Sequence, residues 1–259
     1  PGAPDAFVTA LEKFGTISFS EAAHGAIRAA EGGFIMHELM AQSIRENEEK
    51  YRKYPSTRQI YLPSDSVPKV GDLFVQADLA KTLKYMADEE SNEKGTRIEK
   101  LHAVRKAFYE GDIASAISGF SNENGGWITS SDLKDFRVSI DEPLKVIRRG
   151  TTLFTCGAWS QGISMAQLWS FLKEIDFSTT DHNSAKYIHT LTEIIKLVFA
   201  DRELYVGDPE FINVPTKKLL SSNYAKSRLN LIEDCKTLRG IDLWNGDHEV
   251  LDNQFISQD

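Results

Sequence analysis

Phe199-Ala200-Asp201-Arg202-Glu203-Leu204-Tyr205-Val206-Gly207-Asp208-Pro209-Glu210-Phe211 decides how this chain is to be understood. It is the exit of the strongest helical pattern, predicted over residues 184–205. Ile188, Leu191, Ile195, Val198 and Phe199 fall on one face of that pattern, with Lys186, Thr190, Glu193 and Lys196 mostly on the other. Gly207-Asp208-Pro209 stops the helix, since proline cannot continue it. Asp201, Arg202 and Glu203 form a dense charge cluster in the last turns. Such a cluster is either a binding face or a helix terminus fixed by ion pairs and hydrogen bonds. The second is preferred, because structural charge networks are common.

Immediately upstream the chain reads as strand, turn and helix. Residues 144–148 and 151–156 are rich in β-branched and apolar side chains and are split by Arg149-Gly150, which predicts an antiparallel hairpin. Residues 157–162 make a turn, with Trp159 packed beneath it, and 163–175 a helix. Downstream, 222–232 is a last helix and the tail from Gly240 is irregular.

The first half reads as helices on short turns. Residues 5–14 have helical spacing at Phe7, Val8, Leu11 and Phe14, and Gly15 ends the run. Ser18-Phe19-Ser20-Glu21 is a capping box that opens a helix closed by Gly32-Gly33. One helix is expected over 34–51. A proline-punctuated loop follows over 54–71, with a short strand at 59–62. Helices are expected at 77–88, 97–109 and 112–120. The acidic run Asp88-Glu89-Glu90-Ser91-Asn92-Glu93 reads as an exposed joint. Thr129-Ser130-Ser131-Asp132 caps one more short helix.

Composition narrows the class. The chain has 259 residues, 41% hydrophobic and 26% charged, which is ordinary for a globular protein and excludes collagen-like and disordered classes. Thirty basic against 38 acidic residues, net −8, argue against a nucleic-acid binder, which needs a basic face. No stretch reaches the ~20 apolar residues of a membrane span. Cys156 and Cys235 are too few for a disulfide framework and are expected to be reduced thiols.

The residues alone give no self-contained active site. His24, His37, His102, His182, His189 and His248 include no pair at the i, i+4 spacing of a helical zinc site, so no metal role is assigned. Ala158-Trp159-Ser160-Gln161-Gly162 follows a strand and precedes a helix, like a nucleophile elbow. Its first glycine is replaced by Ala158, though, and the βα alternation of a hydrolase sheet is missing. A strand-to-helix loop is the preferred reading of Ser160. Nothing near Cys156 marks it as a nucleophile. What remains is a largely helical α/β chain.

The segment quoted first resembles the (F/Y)-A-D-R-x-x-Y-x-G-D-P-x-F run of the γ-glutamyltranspeptidase family, and His182-Asn183-Ser184-Ala185 resembles the cap of the helix before it. Further matches fall in the family's order. They include Pro1-Gly2-Ala3 with Ala10-Leu11-Glu12-Lys13-Phe14-Gly15-Thr16, then Ala26-Ile27-Arg28-Ala29-Ala30-Glu31-Gly32-Gly33-Phe34. Gly71-Asp72-Leu73, Phe108-Tyr109-Glu110-Gly111 and Gly125-Gly126 follow. Two segments depart. Gly157-Ala158-Trp159-Ser160-Gln161-Gly162 stands where most members have a P-P-x-S-x-G-G loop, which looks more like a branch containing other amide hydrolases. Residues 91–104 have no family counterpart.

The resemblance implies an α+β fold: residues 1–259 as the helix-rich large-subunit region of an αββα sandwich of the N-terminal-nucleophile type, its sheet completed by a small subunit. It implies a precursor that cuts itself so that a threonine opens the small subunit. Asp259 is then the residue whose carbonyl is attacked. No catalytic residue is carried over to this chain, since the family's substrate-carboxylate arginine would precede Pro1 and its remaining substrate groups belong to the small subunit. No cofactor or metal is implied. The implied partners are that small subunit and a γ-glutamyl amide such as glutathione; a related acylase substrate and a non-catalytic scaffold role are the alternatives. Such a chain is expected to expose apolar surface when alone. The compartment stays open, because family members occur in the periplasm, outside the cell and in the cytoplasm.

Overall fold

A computed structural model describes residues 1–239. The chain divides into two compact units, residues 1–139 and residues from 140 onward.

The first unit opens with α1 (Ala3–Phe14), which carries proline in its first turn and ends at Gly15. The predicted capping box starts α2 (Phe19–Gly32): the Ser18 hydroxyl accepts from the Glu21 amide while the Glu21 carboxylate accepts from the Ser18 amide. Gly33 then takes φ +76°, and a Cβ there would stand 2.9 Å from the Phe74 carbonyl oxygen. That close approach turns the chain into β1 (Phe34–Ile35), so the single helix expected over 34–51 does not form. It is replaced by β1, by α3 (Glu38–Glu46), which His37 caps by accepting from the Met40 amide at 3.3 Å, and by α4 (Glu48–Lys53). The break between the two helices is Asn47, whose side chain donates to the Ser43 carbonyl at 2.9 Å and competes with the helical ladder.

The expected loop and strand at 54–71 are also corrected. Pro55 sits at the start of α5 (Pro55–Tyr61), a position where its missing N–H costs nothing. The α5 residue Tyr61 packs against Tyr51 and Phe74, at ring separations of 5.3 and 6.0 Å. β2 (Leu73–Phe74) pairs antiparallel with β1, Phe34 opposite Phe74 and Ile35 opposite Leu73. Met36, Ala41, Ile44, Leu62 and Phe74 form the core beneath this ribbon.

The acidic run is not a joint. α6 (Ala77–Asn92) continues through it, and Glu90 is buried. α7 (Arg97–Tyr109) follows, then α8 (Asp112–Glu123) and α9 (Ser130–Asp135), the last opened by the capping box at Thr129. α6 packs on α2 and α7, and α1 packs on α7, around Val8, Phe19, Ala23, Met86, Leu101 and Val104.

The second unit begins with the predicted hairpin, β3 (Leu144–Arg148) and β4 (Thr151–Thr155), in the register Leu144 opposite Thr155 and Arg148 opposite Thr151. Arg149 and Gly150 both have positive φ, 45° and 80°, which suits the right-handed twist of the strands they join. α10 (Gly162–Lys173) covers one face of the hairpin. On the opposite face Ile147 and Phe154 are exposed. α11 (Ala185–Tyr205), α12 (Thr216–Leu219) and α13 (Ser222–Leu229) complete the unit. Its core is Ile163, Phe171, Ile194, Leu197, Val198, Tyr205, Leu219 and Ala225.

The buried face of α11 is rotated from the expected one. Ile194, Leu197, Val198, Asp201 and Tyr205 point inward, while Ile188, Ile195 and Phe199 remain substantially exposed. The inward face carries the buried Asp201, whose carboxylate meets Gln167, Tyr224 and Arg228. The expected irregular tail from Gly240 lies outside the described residues.

Candidate functional site

Asp201, at the centre of the opening segment, is fully buried. Gln167 of α10 donates to its Oδ2 at 2.6 Å, Tyr224 of α13 donates to its Oδ1 at 2.9 Å, and Arg228 of α13 lies 3.2 Å from the same oxygen. One carboxylate thus ties three helices together. Burial, and then the Asp201 charge, push the Tyr224 phenol far above its ordinary pKa, and the same causes in the same order raise Tyr205. Both phenols therefore stay protonated donors at any physiological pH. The neighbouring Arg202 pairs with Glu203, stands 4.6 Å over the Phe199 ring and reaches Gln161 Oε1 at 3.3 Å. The preferred reading of the cluster, a terminus fixed by ion pairs, holds.

Ser160 is a turn residue. Its hydroxyl donates to the Gly157 carbonyl at 3.2 Å and accepts from the Gly162 amide at 3.1 Å. A Cβ at Gly162 would fall 2.2 Å from the Cys156 carbonyl oxygen, so the tightness of the turn explains this glycine without any catalytic role. Trp159 does not pack beneath the turn as expected; it is exposed. Cys156 and Cys235 are unpaired and exposed.

The histidines are dispersed. His37 is a helix cap, His102 lies 3.5 Å from Glu12, His182 meets the Tyr187 ring edge-on, and His189 Nε2 is 3.0 Å from the Glu233 carbonyl oxygen. Among the described residues no group of three or more His, Cys, Asp or Glu is placed to hold a metal ion. None of their helices is long and apolar enough to cross a membrane. His248 and Asp259 lie outside the described residues.

Three buried carboxylates escaped the sequence analysis. Asp5 accepts from Arg105 at 2.6 Å and from the Val138 amide at 2.7 Å, and its own amide bonds the Tyr109 hydroxyl at 3.1 Å. Burial, chiefly, raises the Tyr109 phenol. Glu90 accepts from the Phe19 and Ser20 amides, each at 2.8 Å. Glu193 of α11 accepts from the Leu238 amide at 2.9 Å, the Thr237 hydroxyl at 3.1 Å and Lys196 at 2.7 Å. Burial works to raise the Glu193 carboxyl, but the bonds from Lys196, Leu238 and Thr237 outweigh it and hold the group below the usual carboxylate range. For Glu90 a signal existed: a capping box leaves other first-turn amides unsatisfied, and a buried helix start needs a further acceptor.

These anchors serve structure, and comparison with known proteins supplies the family. The family model described as gamma-glutamyltranspeptidase matches residues 1–252. The chain belongs to the gamma-glutamyltranspeptidase family. It is 34% identical over 233 residues to the glutathione hydrolase proenzyme of Bacillus subtilis (strain 168), covering 90% of this chain and 37% of that protein. It is 30% identical to the acylase ACY 1 proenzyme of Pseudomonas sp. (strain SE83), covering 90% of this chain and 39% of that protein. The solved structure of Helicobacter pylori gamma-glutamyltranspeptidase superposes with a TM-score of 0.81 at 30% identity, covering 92% of this chain and 65% of that one. The chain therefore spans well under half of these curated relatives. Its fold is the helix-rich α+β fold of the large-subunit region of gamma-glutamyltranspeptidases, and the relatives are enzymes made as proenzymes.

Proposed function

We propose that residues 1–259 are one large-subunit region of a gamma-glutamyltranspeptidase-type hydrolase that cleaves or transfers γ-glutamyl groups from glutathione-like amides. The observation that carries this reading is the ordered match over residues 1–252, together with 34% identity to a glutathione hydrolase proenzyme. The nucleophile is assigned to a threonine opening the small subunit, and Asp259 to the residue before the cleaved bond. In maturation the threonine hydroxyl attacks the preceding carbonyl; an O–C ester bond forms as the N–C amide bond breaks. Water then opens the ester, leaving a carboxylate on one chain and a free α-amine on the other. That amine, with a reference pKa of ~7.7–8.0, serves as base for its own hydroxyl near neutral pH. Substrate acylates the hydroxyl through a tetrahedral intermediate stabilised by oxyanion donors, and water or an amine accepts the acyl group.

Two facts support the two-chain reading. Curated relatives carry proenzyme in their names, and the same stretch fills 65% of the solved Helicobacter pylori chain but only 37% of the Bacillus subtilis proenzyme. On the present chain, the exposed outer face of the hairpin around Ile147 and Phe154 is where the facing sheet of the sandwich is proposed to pack. A second reading, a related acylase with another acyl pocket, is favoured by the loop around Trp159 and by the acylase relative at 30% identity.

The test is to express the full-length precursor and examine its products. Two chains, the smaller beginning with threonine, and release of chromophore from a γ-glutamyl anilide are expected. Cleavage with turnover of a glutaryl or other acyl amide instead would favour the acylase. An uncut precursor, or amide turnover by residues 1–259 alone, would defeat both. Ser160→Ala is expected to leave turnover within about twofold, since its hydroxyl only closes a turn.

A further inference from the structure

A groove of about 420 Å³ lies in the second unit, between the first turns of α11, the end of α13 and the chain over 174–180. That volume is within the range of small-molecule sites. Each helix offers the groove a charged and a neutral polar residue one turn apart: Lys186 and Thr190 on α11, Lys226 and Asn230 at the end of α13. Phe177 and Leu229 give it an apolar wall, and the Phe177 ring is held against Tyr187 at 5.2 Å.

The charges at the groove are not equally committed. Asp176 is taken up by Arg149 and by the amide and hydroxyl of Ser178. Glu174 is different. Its side chain is only 13% exposed, and the Lys226 ammonium stands 3.5 Å away, longer than a hydrogen bond. A carboxylate largely removed from water is costly unless donors meet it, and it has room for several. Lys186 is exposed, and among the described residues no ion pair joins it to a carboxylate. The groove thus presents one under-satisfied acceptor and one uncommitted cation. A dianion would be repelled by Glu174 and a dication by the two lysines, so a molecule carrying one charge of each sign is matched. In a free amino acid both charges sit on one carbon. Here acceptor and cation belong to separate walls, which suits a longer zwitterion.

We propose that this groove binds a short peptide with free ends and an apolar side chain. The peptide's ammonium donates to Glu174, its carboxylate accepts from Lys186, and its apolar side chain lies on Phe177 and Leu229. Thr190 and Asn230 bond the peptide group between the two ends. All of these residues belong to the second unit, so the site does not depend on any maturation of a precursor.

The test adds alanylleucine, its N-acetylated form and its C-terminal amide to the isotope-labelled chain of residues 1–259 and follows the backbone amide signals. Alanylleucine is expected to shift Thr180, Thr190 and Asn230 saturably. The two blocked peptides, each lacking one charge, should bind about tenfold or more weakly, the size of a lost charged hydrogen bond. Lys186→Met should abolish the preference over the amide and keep the preference over the acetylated form; Glu174→Gln should do the reverse. Calorimetry on the full-length precursor repeats the comparison of wild type with Lys186→Met, a change at an exposed side chain that leaves the fold intact. Alanylleucine affinity should fall about tenfold there too. The site is overturned by the lack of saturable binding at millimolar alanylleucine, by shifts confined to other residues, by equal affinity for the three peptides, or by an affinity unchanged in Lys186→Met.

Discussion

Asp176 shows how far a single exposed group can be read. The Ser178 amide donates to it at 3.0 Å, Arg149 at 2.6 Å and the Ser178 hydroxyl at 2.8 Å. These bonds, the Ser178 amide first, hold its carboxyl down to about 2. A depressed carboxylate contributes stability that is fully present above its unfolded pKa of ~3.9 and is lost as pH falls through the folded value, here between about pH 4 and about 2. Because the group is fully exposed, its expected signature is a titration midpoint near 2 in a carboxylate NMR experiment. Arg149→Asn removes one donor and should move that midpoint upward. A midpoint that stays put in the variant would show that Arg149 contributes nothing to the shift. The same substitution puts asparagine at a position with φ +45°, which asparagine adopts more readily than arginine.

At the scale of elements, legibility depended on whether local chemistry or distant contact decided the outcome. The capping boxes at Ser18 and Thr129 and the Arg149-Gly150 hairpin were legible, because each is settled by residues within a few positions. The split of 34–51 was not: β1 exists because Leu73 and Phe74, far along the chain, pair with it. Nor was the burial of Glu90, which answers to the Phe19 and Ser20 amides, 71 and 70 positions earlier. The candidate site divides the same way. Asp201 was visible as a charge cluster, but the identity of its partners on α10 and α13 was not. The rotation of α11 offers a direct measurement. Leu197 is fully buried and Ile195 is 38% exposed, although the apolar spacing alone favours Ile195 as core. Leu197→Ala is expected to cost about 2–5 kcal/mol in denaturant unfolding, and Ile195→Ala less than about 1 kcal/mol. Equal costs would return the helix to the orientation its stripe suggests.

For the molecule as a whole, the question is what its uncovered apolar surface is for. A net charge of −8 makes copies of the chain repel one another, which opposes association through exposed apolar side chains. A lone two-stranded hairpin is marginal in water, and its open strand edges invite pairing. α10 covers one face of β3–β4, while on the other Ile147 and Phe154 are exposed and the Lys145 ammonium stands 5.8 Å from the Phe154 ring centre. If that face is where the sheet facing it in the sandwich packs, its residues should matter for assembly more than for the stability of the chain that carries them. Phe154→Glu in residues 1–259 is expected to change the unfolding free energy by less than about 1 kcal/mol, since the side chain is already 60% exposed. In the full-length precursor the same substitution buries a charge against apolar neighbours and should abolish recovery of a stable two-chain product. Phe154→Leu should preserve it. Stoichiometric, stable assembly of the Phe154→Glu protein would mean that no second layer packs on this face, and that Phe154 is surface in the finished enzyme as it is in this chain.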